Sequence, residues 1–184
     1  VSITFARDEI PRDTSLEALG VLKPVAREDG IHTAGTSSQI ADGAAAVLLM
    51  TASKAEELGV KPLARVVDAR LVGCDPVLML EGPIPATEKM LEKTGLKISD
   101  IDVFEVNEAF AVVTMVAMKD LGLLHDKVNV HGGACALGHP VGASGARIVV
   151  TLLNALAKYQ LTKGVASLCI GGGEATAIAI ERIQ

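Results

Sequence analysis

Three polar clusters interrupt otherwise apolar stretches of the sequence, and their side chains suit chemistry at a carbonyl group. The clusters are NEAF at 107–110, GGACALGHPVGASG at 132–145 and CIGGG at 169–173. An amide, an imidazole and a thiol can orient a carbonyl or transfer protons, and glycine N–H groups can stabilise an oxyanion. Each cluster stands between a predicted strand and a helix or turn, where layered α/β folds place their ligands.

Each of the three central side chains also has a purely structural interpretation. Asn107 suits a helix N-cap as well as an orienting donor for a water or a carbonyl. His139, between Gly138 and Pro140, suits a structural or capping role as well as proton exchange near neutral pH. Cys169 suits core filling as well as an acid–base role, which requires that its pKa be brought toward neutrality. Taken singly, these residues leave both interpretations open.

The remaining cysteines and acidic residues give weaker signals. The three cysteines lack a CxxC spacing and cannot all pair, so neither a disulfide framework nor a metal site is predicted. This cysteine usage favours a reducing compartment, and we expect a cytoplasmic protein. Cys74 and Cys135 receive no catalytic role, and Glu108 and Glu174 are not predicted to form a paired-carboxylate site.

Composition excludes several classes of function. The 184 residues are 49% hydrophobic and only 2% aromatic, with a net charge of −5 and no basic block. Nucleic-acid binding is therefore not expected, and no apolar run approaches the roughly 20 residues of a membrane span. The opening VSITFARDEIPRD does not resemble a signal peptide. It lacks a starting Met, so we expect a trimmed fragment.

The elements that position the clusters are predicted from apolar periodicity and from Gly and Pro. Residues 1–36 are turn-rich, Ala44–Met50 predicts a buried strand or helix, and Ser53 caps a helix over Lys54–Leu58. A boundary is predicted near Pro62. Beyond it the order is β-α-β-α-β-α-β-β, which indicates a layered α/β domain. The predicted elements are Leu63–Val72, Pro85–Thr94, Ile101–Val106, Glu108–Leu121, Val128–Val130, Ala146–Lys158, Val165–Ile170 and Ala175–Ile180.

Three of these elements carry more detailed predictions. The helix at Glu108–Leu121 is apolar nearly all round, so we expect it to be buried. In the helix at Ala146–Lys158, one face is an apolar stripe with four-residue spacing, formed by Ile148, Leu152 and Leu156. The last two strands are joined across three glycines, which predicts a hairpin.

Together the three clusters resemble the thiolase family, and TAGTSSQIADGAAA from Thr33 resembles a fourth family segment, near the coenzyme-A-binding loop. Thr36 stands where many thiolases have Asn. The related ketoacyl synthases lack the Cys169-Gly-Gly-Gly ending. The resemblance implies a layered α-β-α-β-α fold, here mainly its C-terminal half. Residues 1–61 would be the end of the loop domain and the last part of the N-terminal domain, and 62–184 the C-terminal domain.

The resemblance also implies an activity: reversible Claisen condensation and thiolytic cleavage of 3-ketoacyl-CoA, by an acyltransferase of lipid metabolism. His139 would activate the acyl-accepting nucleophile, and Asn107 would position a water at the same oxyanion hole. Cys169 would move a proton, and the N–H of Gly171 would serve a second oxyanion hole. The coenzyme A and acyl site would be lined by Ser38, Met79 and Phe110.

No cofactor is implied, because coenzyme A thioesters are the substrates. The implied partners are coenzyme A, acyl-CoA, a missing N-terminal half and further copies of the complete enzyme, as a dimer or tetramer. The nucleophilic cysteine belongs to the missing half, so we expect this chain alone to be inactive. A non-catalytic thiolase-like assembly module is the alternative. A nucleotide-binding Rossmann domain is disfavoured, because the glycine loop lies outside the first βα unit.

Overall fold

The computed structural model describes residue 4 and residues 6–183. Residues 1–3 and 5, part of the stretch considered for a signal peptide, and residue 184 lie outside the described residues. Up to residue 63 the regular structure consists of helix α1 (Leu16–Gly20), a 3-10 turn (Ala34–Thr36) and helix α2 (Ala52–Glu57). As far as residue 36, this agrees with the turn-rich character that the sequence predicts.

A four-stranded mixed sheet forms the centre of the rest of the chain. Its strands are β1 (Ala64–Gly73), β2 (Val103–Val106), β3 (Lys163–Cys169) and β4 (Glu174–Arg182), in the spatial order β1-β4-β3-β2. β2 is parallel to β3, and the other two pairs are antiparallel. The predicted β3–β4 hairpin is thereby confirmed. The parallel pair matters for the site, because it brings the carboxyl ends of β2 and β3 to one edge of the sheet.

The strand predicted at Val128–Val130 is wrong. Val128 makes only an isolated bridge to Phe104. Further along the free edge of β2, the Asn129 side chain makes the hydrogen bonds that a neighbouring strand would make. The Val106 N–H donates to Asn129 Oδ1, and Asn129 Nδ2 donates to the Val106 carbonyl, both at 2.9 Å. Asn129 has φ 48, a left-handed conformation that Asn tolerates, and this turns the chain away from the sheet.

Helices cover both faces of the sheet. α3 (Pro83–Thr94) and α4 (Ala111–Leu121) pack on one face, against a core that includes Phe104 and Val165. α6 (Ser144–Lys158) packs on the other, and the one-turn helix α5 (Ala134–Leu137) precedes it. The predicted apolar stripe of α6 is confirmed, since its three members are almost completely buried: Ile148, Leu152 and Leu156.

Three local predictions are wrong. Ala44–Met50 has no regular structure, and Leu48 and Leu49 are 79% and 71% exposed, because nothing in the described chain covers them. α4 is not buried all round, since Met115 is 62% exposed. Thr51, not Ser53, caps α2: it directly precedes the first helical residue, so its hydroxyl accepts from an N–H in the first turn.

Candidate active site

Asn107 lies at the carboxyl end of β2 and is almost completely buried, with 1% exposure. Its N–H donates to the Ser167 carbonyl at 3.0 Å, which extends the parallel pairing by one residue. Its side-chain Nδ2 lies 3.4 Å from Nε2 of His139. The N-cap interpretation of Asn107 is wrong, because α4 begins at Ala111 and Phe110 holds the N-cap position. The amide therefore faces an imidazole rather than a helix terminus.

His139 is held from its backbone and from its ring. Its N–H donates to the Gln39 carbonyl at 2.7 Å, and ring atom Nδ1 lies 2.6 Å from Ser144 Oγ. The preceding Gly138 has φ 88 and no room for a Cβ beside Ala41, so this turn requires glycine. Burial lowers the pKa of His139, and the nearby Arg147 cation lowers it further. At neutral pH the imidazole is therefore uncharged and able to accept a proton.

Residues 37–40 connect the Asn107 cluster to the His139 cluster. The N–H and the hydroxyl of Ser38 both donate to the Ala109 carbonyl, at 3.1 and 2.8 Å. Ser37 bridges to Phe110, and Ile40 bridges to His139. Ser38 and Phe110 therefore lie together beside the Asn107–His139 pair. The structure thus brings four of the predicted site residues into one place.

Glu108 forms a second connection between the same two clusters, which the sequence alone did not predict. Its carboxylate accepts from Asn129 Nδ2 at 2.8 Å and from the Cys135 N–H at 3.1 Å. Burial, together with the charge of Glu108, raises the pKa of Cys135 to about 11. Cys135 is thus a protonated thiol with little reactivity at neutral pH. The pair Gly132-Gly133 was the available sequence signal, since it permits close approach of another group.

Cys169 ends β3, where its half-buried side chain packs against the same core cluster as Phe110 and Ala109. Burial raises the pKa of the Cys169 thiol, and the proximity of the Cys74 thiol raises it further. In this chain its pKa is therefore not brought toward neutrality, and the group is a protonated thiol. No hydrogen bond within residues 6–183 joins Cys169 to Asn107 or His139.

The turn after Cys169 leaves one amide free. Ile170 N–H donates to the Glu174 carbonyl, Gly172 N–H to the Glu174 carboxylate and Gly173 N–H to the Ile170 carbonyl. Gly171 N–H has no acceptor in the described part of the chain, and the residue is exposed. A free amide of this kind is available to an oxyanion.

Met79 stands in a 3-10 turn (Met79–Glu81) that follows β1 and lies against β3 and α4. Its carbonyl lies 3.7 Å from Cys74 Sγ, and its neighbour Leu80 packs against the core that supports Cys169. Met79 is therefore placed on the Cys169 side of the site.

Across the described ranges, no cluster of three His, Cys, Asp or Glu side chains could hold a metal ion, and no helix is long and apolar enough to cross a membrane.

Most of the chain matches the models of one known protein family. Residues 60–182 match the model of the thiolase C-terminal domain, and residues 2–53 match that of the thiolase N-terminal domain. The chain belongs to the thiolase family. Similar thiolases include an acetyl-CoA acetyltransferase of Allochromatium vinosum, 53% identical over 97% of this chain and 46% of that protein. The 3-ketoacyl-CoA thiolase FadA of Escherichia coli K12 is 50% identical over 97% of this chain and 48% of its own length.

Solved thiolase structures superpose closely on this chain. The Bacillus anthracis acetyl-CoA acetyltransferase has a TM-score of 0.95 at 47% identity, covering 98% of this chain and 46% of that one. A human mitochondrial 3-ketoacyl-CoA thiolase in complex with CoA has a TM-score of 0.89 at 40% identity, and the match covers 96% of this chain and 45% of that one. The predicted thiolase-like fold is confirmed. The chain spans about half the length of the thiolases that it matches.

Proposed function

We propose that this chain supplies the C-terminal half of an active thiolase, an acyltransferase that condenses acyl-CoA molecules and cleaves 3-ketoacyl-CoA. The observation that carries the proposal is the 3.4 Å approach of Asn107 Nδ2 to His139 Nε2. This approach joins two loops that are 32 residues apart in sequence. An amide donor beside a neutral imidazole can orient a carbonyl oxygen and accept a proton from a nucleophile.

In the cleavage direction, the imidazole of His139 takes the proton from a cysteine thiol that the complementary half provides. The resulting thiolate attacks the 3-keto carbon, and the bond to the α-carbon breaks. The departing enolate takes a proton from the Cys169 thiol. The Cys169 thiolate then takes the proton of coenzyme A, whose sulfur attacks the acyl-enzyme. The nucleophile leaves as a thiolate and takes its proton back from His139, which restores the starting state. The raised pKa of Cys169 supports its first step, because the thiol is protonated at neutral pH.

Two donor sites would stabilise the negative charge that develops. His139 and a water oriented by Asn107 would face one thioester oxygen, and the free N–H of Gly171 would face the other. Ser38, Met79 and Phe110 would line the coenzyme A and acyl site. We propose coenzyme A thioesters as the substrates, with no resident cofactor. The named relatives are acetyl-CoA acetyltransferases and 3-ketoacyl-CoA thiolases, which supports the same chemical class.

The nucleophile would come from outside this chain. Cys135 is too basic to be a thiolate, and Cys74 donates to the Gly173 carbonyl at 3.0 Å. We therefore assign residues 1–61 to the end of the loop domain and of the N-terminal domain, and 62–184 to the C-terminal domain. The exposed apolar residues of Ala44–Met50 would be covered by the complementary half. The complete enzyme would be a cytoplasmic dimer or tetramer.

The test is acetoacetyl-CoA cleavage by coenzyme A. It is measured with the whole protein, meaning this chain together with its complementary half, and with this chain alone. We expect activity from the whole protein and none from the isolated chain. His139→Ala should abolish turnover, because the proton acceptor is lost. His125→Ala is the matched control, since this histidine is exposed in a 3-10 turn (His125–Lys127) away from the site. An inactive whole protein that still folds would instead favour a non-catalytic assembly module.

A further inference from the structure

We infer that Ser144 is a positioning residue that fixes which ring nitrogen of His139 carries the proton. The inference rests on the proposed function for its catalytic consequence, but its structural basis is independent. Ser144 is the first residue of α6 and is completely buried. Its hydroxyl touches two groups: Nδ1 of His139 at 2.6 Å and the carbonyl of Pro140 at 3.1 Å.

A hydroxyl has one proton, and the Pro140 carbonyl can only accept. If the hydroxyl donates to Pro140, its lone pairs receive an N–H from His139 Nδ1. Nε2 then carries no proton, and its lone pair receives the N–H of Asn107 at 3.4 Å. If the hydroxyl instead donates to Nδ1, two acceptors face each other at Pro140 and two donors face each other at Asn107. One arrangement of protons therefore satisfies all three contacts.

The consequence is a proton acceptor that points into the site in the resting state. When Nε2 takes a proton, Nδ1–H keeps its acceptor in Ser144, so the ring need not turn during the reaction. The turn that joins the two residues is closed, because the N–H groups of Ala143 and Ser144 both donate to the Pro140 carbonyl, at 2.7 and 2.9 Å. The partner of the second ring nitrogen commonly sets histidine tautomer and orientation in this way.

The tautomer can be measured directly by NMR of the whole protein labelled with 15N-histidine. The His139 resonances are assigned from their loss in His139→Gln. We expect the neutral ring to carry its proton on Nδ1, and Ser144→Ala to shift the balance toward Nε2. An unsubstituted protein in which Nε2 carries the proton would overturn the inference, and this measurement needs no variant of Ser144.

The kinetic test compares Ser144→Ala with Thr94→Val. Thr94 also donates its hydroxyl to a backbone carbonyl, Met90 at 2.9 Å, at the far end of α3. Ser144→Ala should lower kcat by about 10- to 100-fold, as for other residues that orient a reacting group, with little change in KM. Ser144→Thr should recover part of the loss, and Thr94→Val should retain kcat. A Ser144→Ala enzyme with unchanged kcat and tautomer would contradict the inference.

The two proposals fail separately. If the unsubstituted protein is inactive, the proposed function is lost, and the NMR tautomer still decides the role of Ser144. If the protein is active and Ser144→Ala changes neither measurement, only the positioning role is lost. If Ser144→Ala does not fold, the tautomer of the unsubstituted protein and the kinetics of Ser144→Thr decide the outcome.

Discussion

The carboxylate of Glu108 occupies the space that a Cβ atom on Gly133 would need. The backbone of Gly133 is extended, with φ −134 and ψ −174, a conformation open to any residue. Gly133 is therefore required for space and not for its conformational freedom. Its absent side chain allows Glu108 to hold the N–H of Cys135 and the amide of Asn129.

We predict that Gly133→Ala destabilises the protein by about 1–3 kcal/mol, because Glu108 must give up buried hydrogen bonds. Thiolase activity should fall too, since this carboxylate connects the loop of Asn107 to that of His139. Gly142→Ala is the matched control: it lies in the same glycine-rich loop, and a Cβ there would meet nothing within 4 Å. Denaturant unfolding measures both variants. Equal stability would show that Glu108 moves aside at no cost.

Glu105 gives a prediction about pH. It is 1% exposed, and burial raises its pKa from 4.5 to about 8, against a smaller opposing effect of Arg147. The folded state therefore binds a proton between these values that the unfolded state does not. The contribution of this group to the free energy of unfolding is complete below pH 4.5 and is lost as pH rises toward 8.

Glu105→Gln keeps the shape and removes the titration. We expect this variant to be more stable than the unsubstituted protein at pH 8.5, by an amount on the order of a few kcal/mol, with the difference shrinking toward pH 5. Glu92→Gln, at an exposed position of α3, is the control and should leave the profile unchanged. Chemical unfolding at several pH values measures the effect. A difference independent of pH would contradict a raised pKa.

His139 gives a prediction about the pH dependence of catalysis. Its pKa is lowered by burial and by Arg147, so the neutral base persists below the ordinary histidine value of about 6.5. In the whole enzyme, the acid limb of kcat/KM should have its midpoint below that value. In His139→Gln, the residual kcat/KM should no longer show this fall at acid pH. A midpoint above the ordinary value would mean that the imidazole is stabilised as a cation.

Cys169 gives a prediction that separates two chemical steps. Cys169→Ala removes the thiol that moves the proton at the α-carbon, but not the nucleophile that becomes acylated. Carbon–carbon bond exchange should therefore be abolished while acylation by acyl-CoA stays measurable by mass spectrometry. Cys135→Ala is the matched control, since this half-buried thiol is protonated and unreactive. Unchanged turnover in Cys169→Ala would end the proton-transfer role.

His139, like Glu105, makes the free energy of unfolding depend on pH. Its folded-state pKa lies below the unfolded value, so stability from this group is fully present above about pH 6.5 and is lost as pH falls below that value and through the lowered folded-state pKa. The Glu105 contribution changes in the opposite direction, so the double variant of Glu105→Gln and His139→Gln should show a flatter stability profile than either single variant. This comparison checks both signs in one series of unfolding measurements.

The sequence determined those elements whose stabilising contacts are local or periodic. The stripe of α6 was predictable because residues four apart share a helix face. α3 was predictable from Pro85 and from Gly95, which has φ 70 and ends the helix, although the helix begins two residues earlier than predicted, at Pro83. The hairpin was predictable from two apolar runs around three glycines. The family motifs likewise located Asn107, His139 and Cys169, because motif spacing is a property of the sequence itself.

Tertiary structure alone decided how those residues are held. Asn129 takes the place of a strand, Glu108 connects two loops, and Ser144 contacts the ring of His139. None of these contacts leaves a periodic signal, because each depends on chain paths that meet only after folding. Burial also belongs to this level: Ala44–Met50 has the composition of a core element but is exposed, since apolar residues are buried only where another surface covers them.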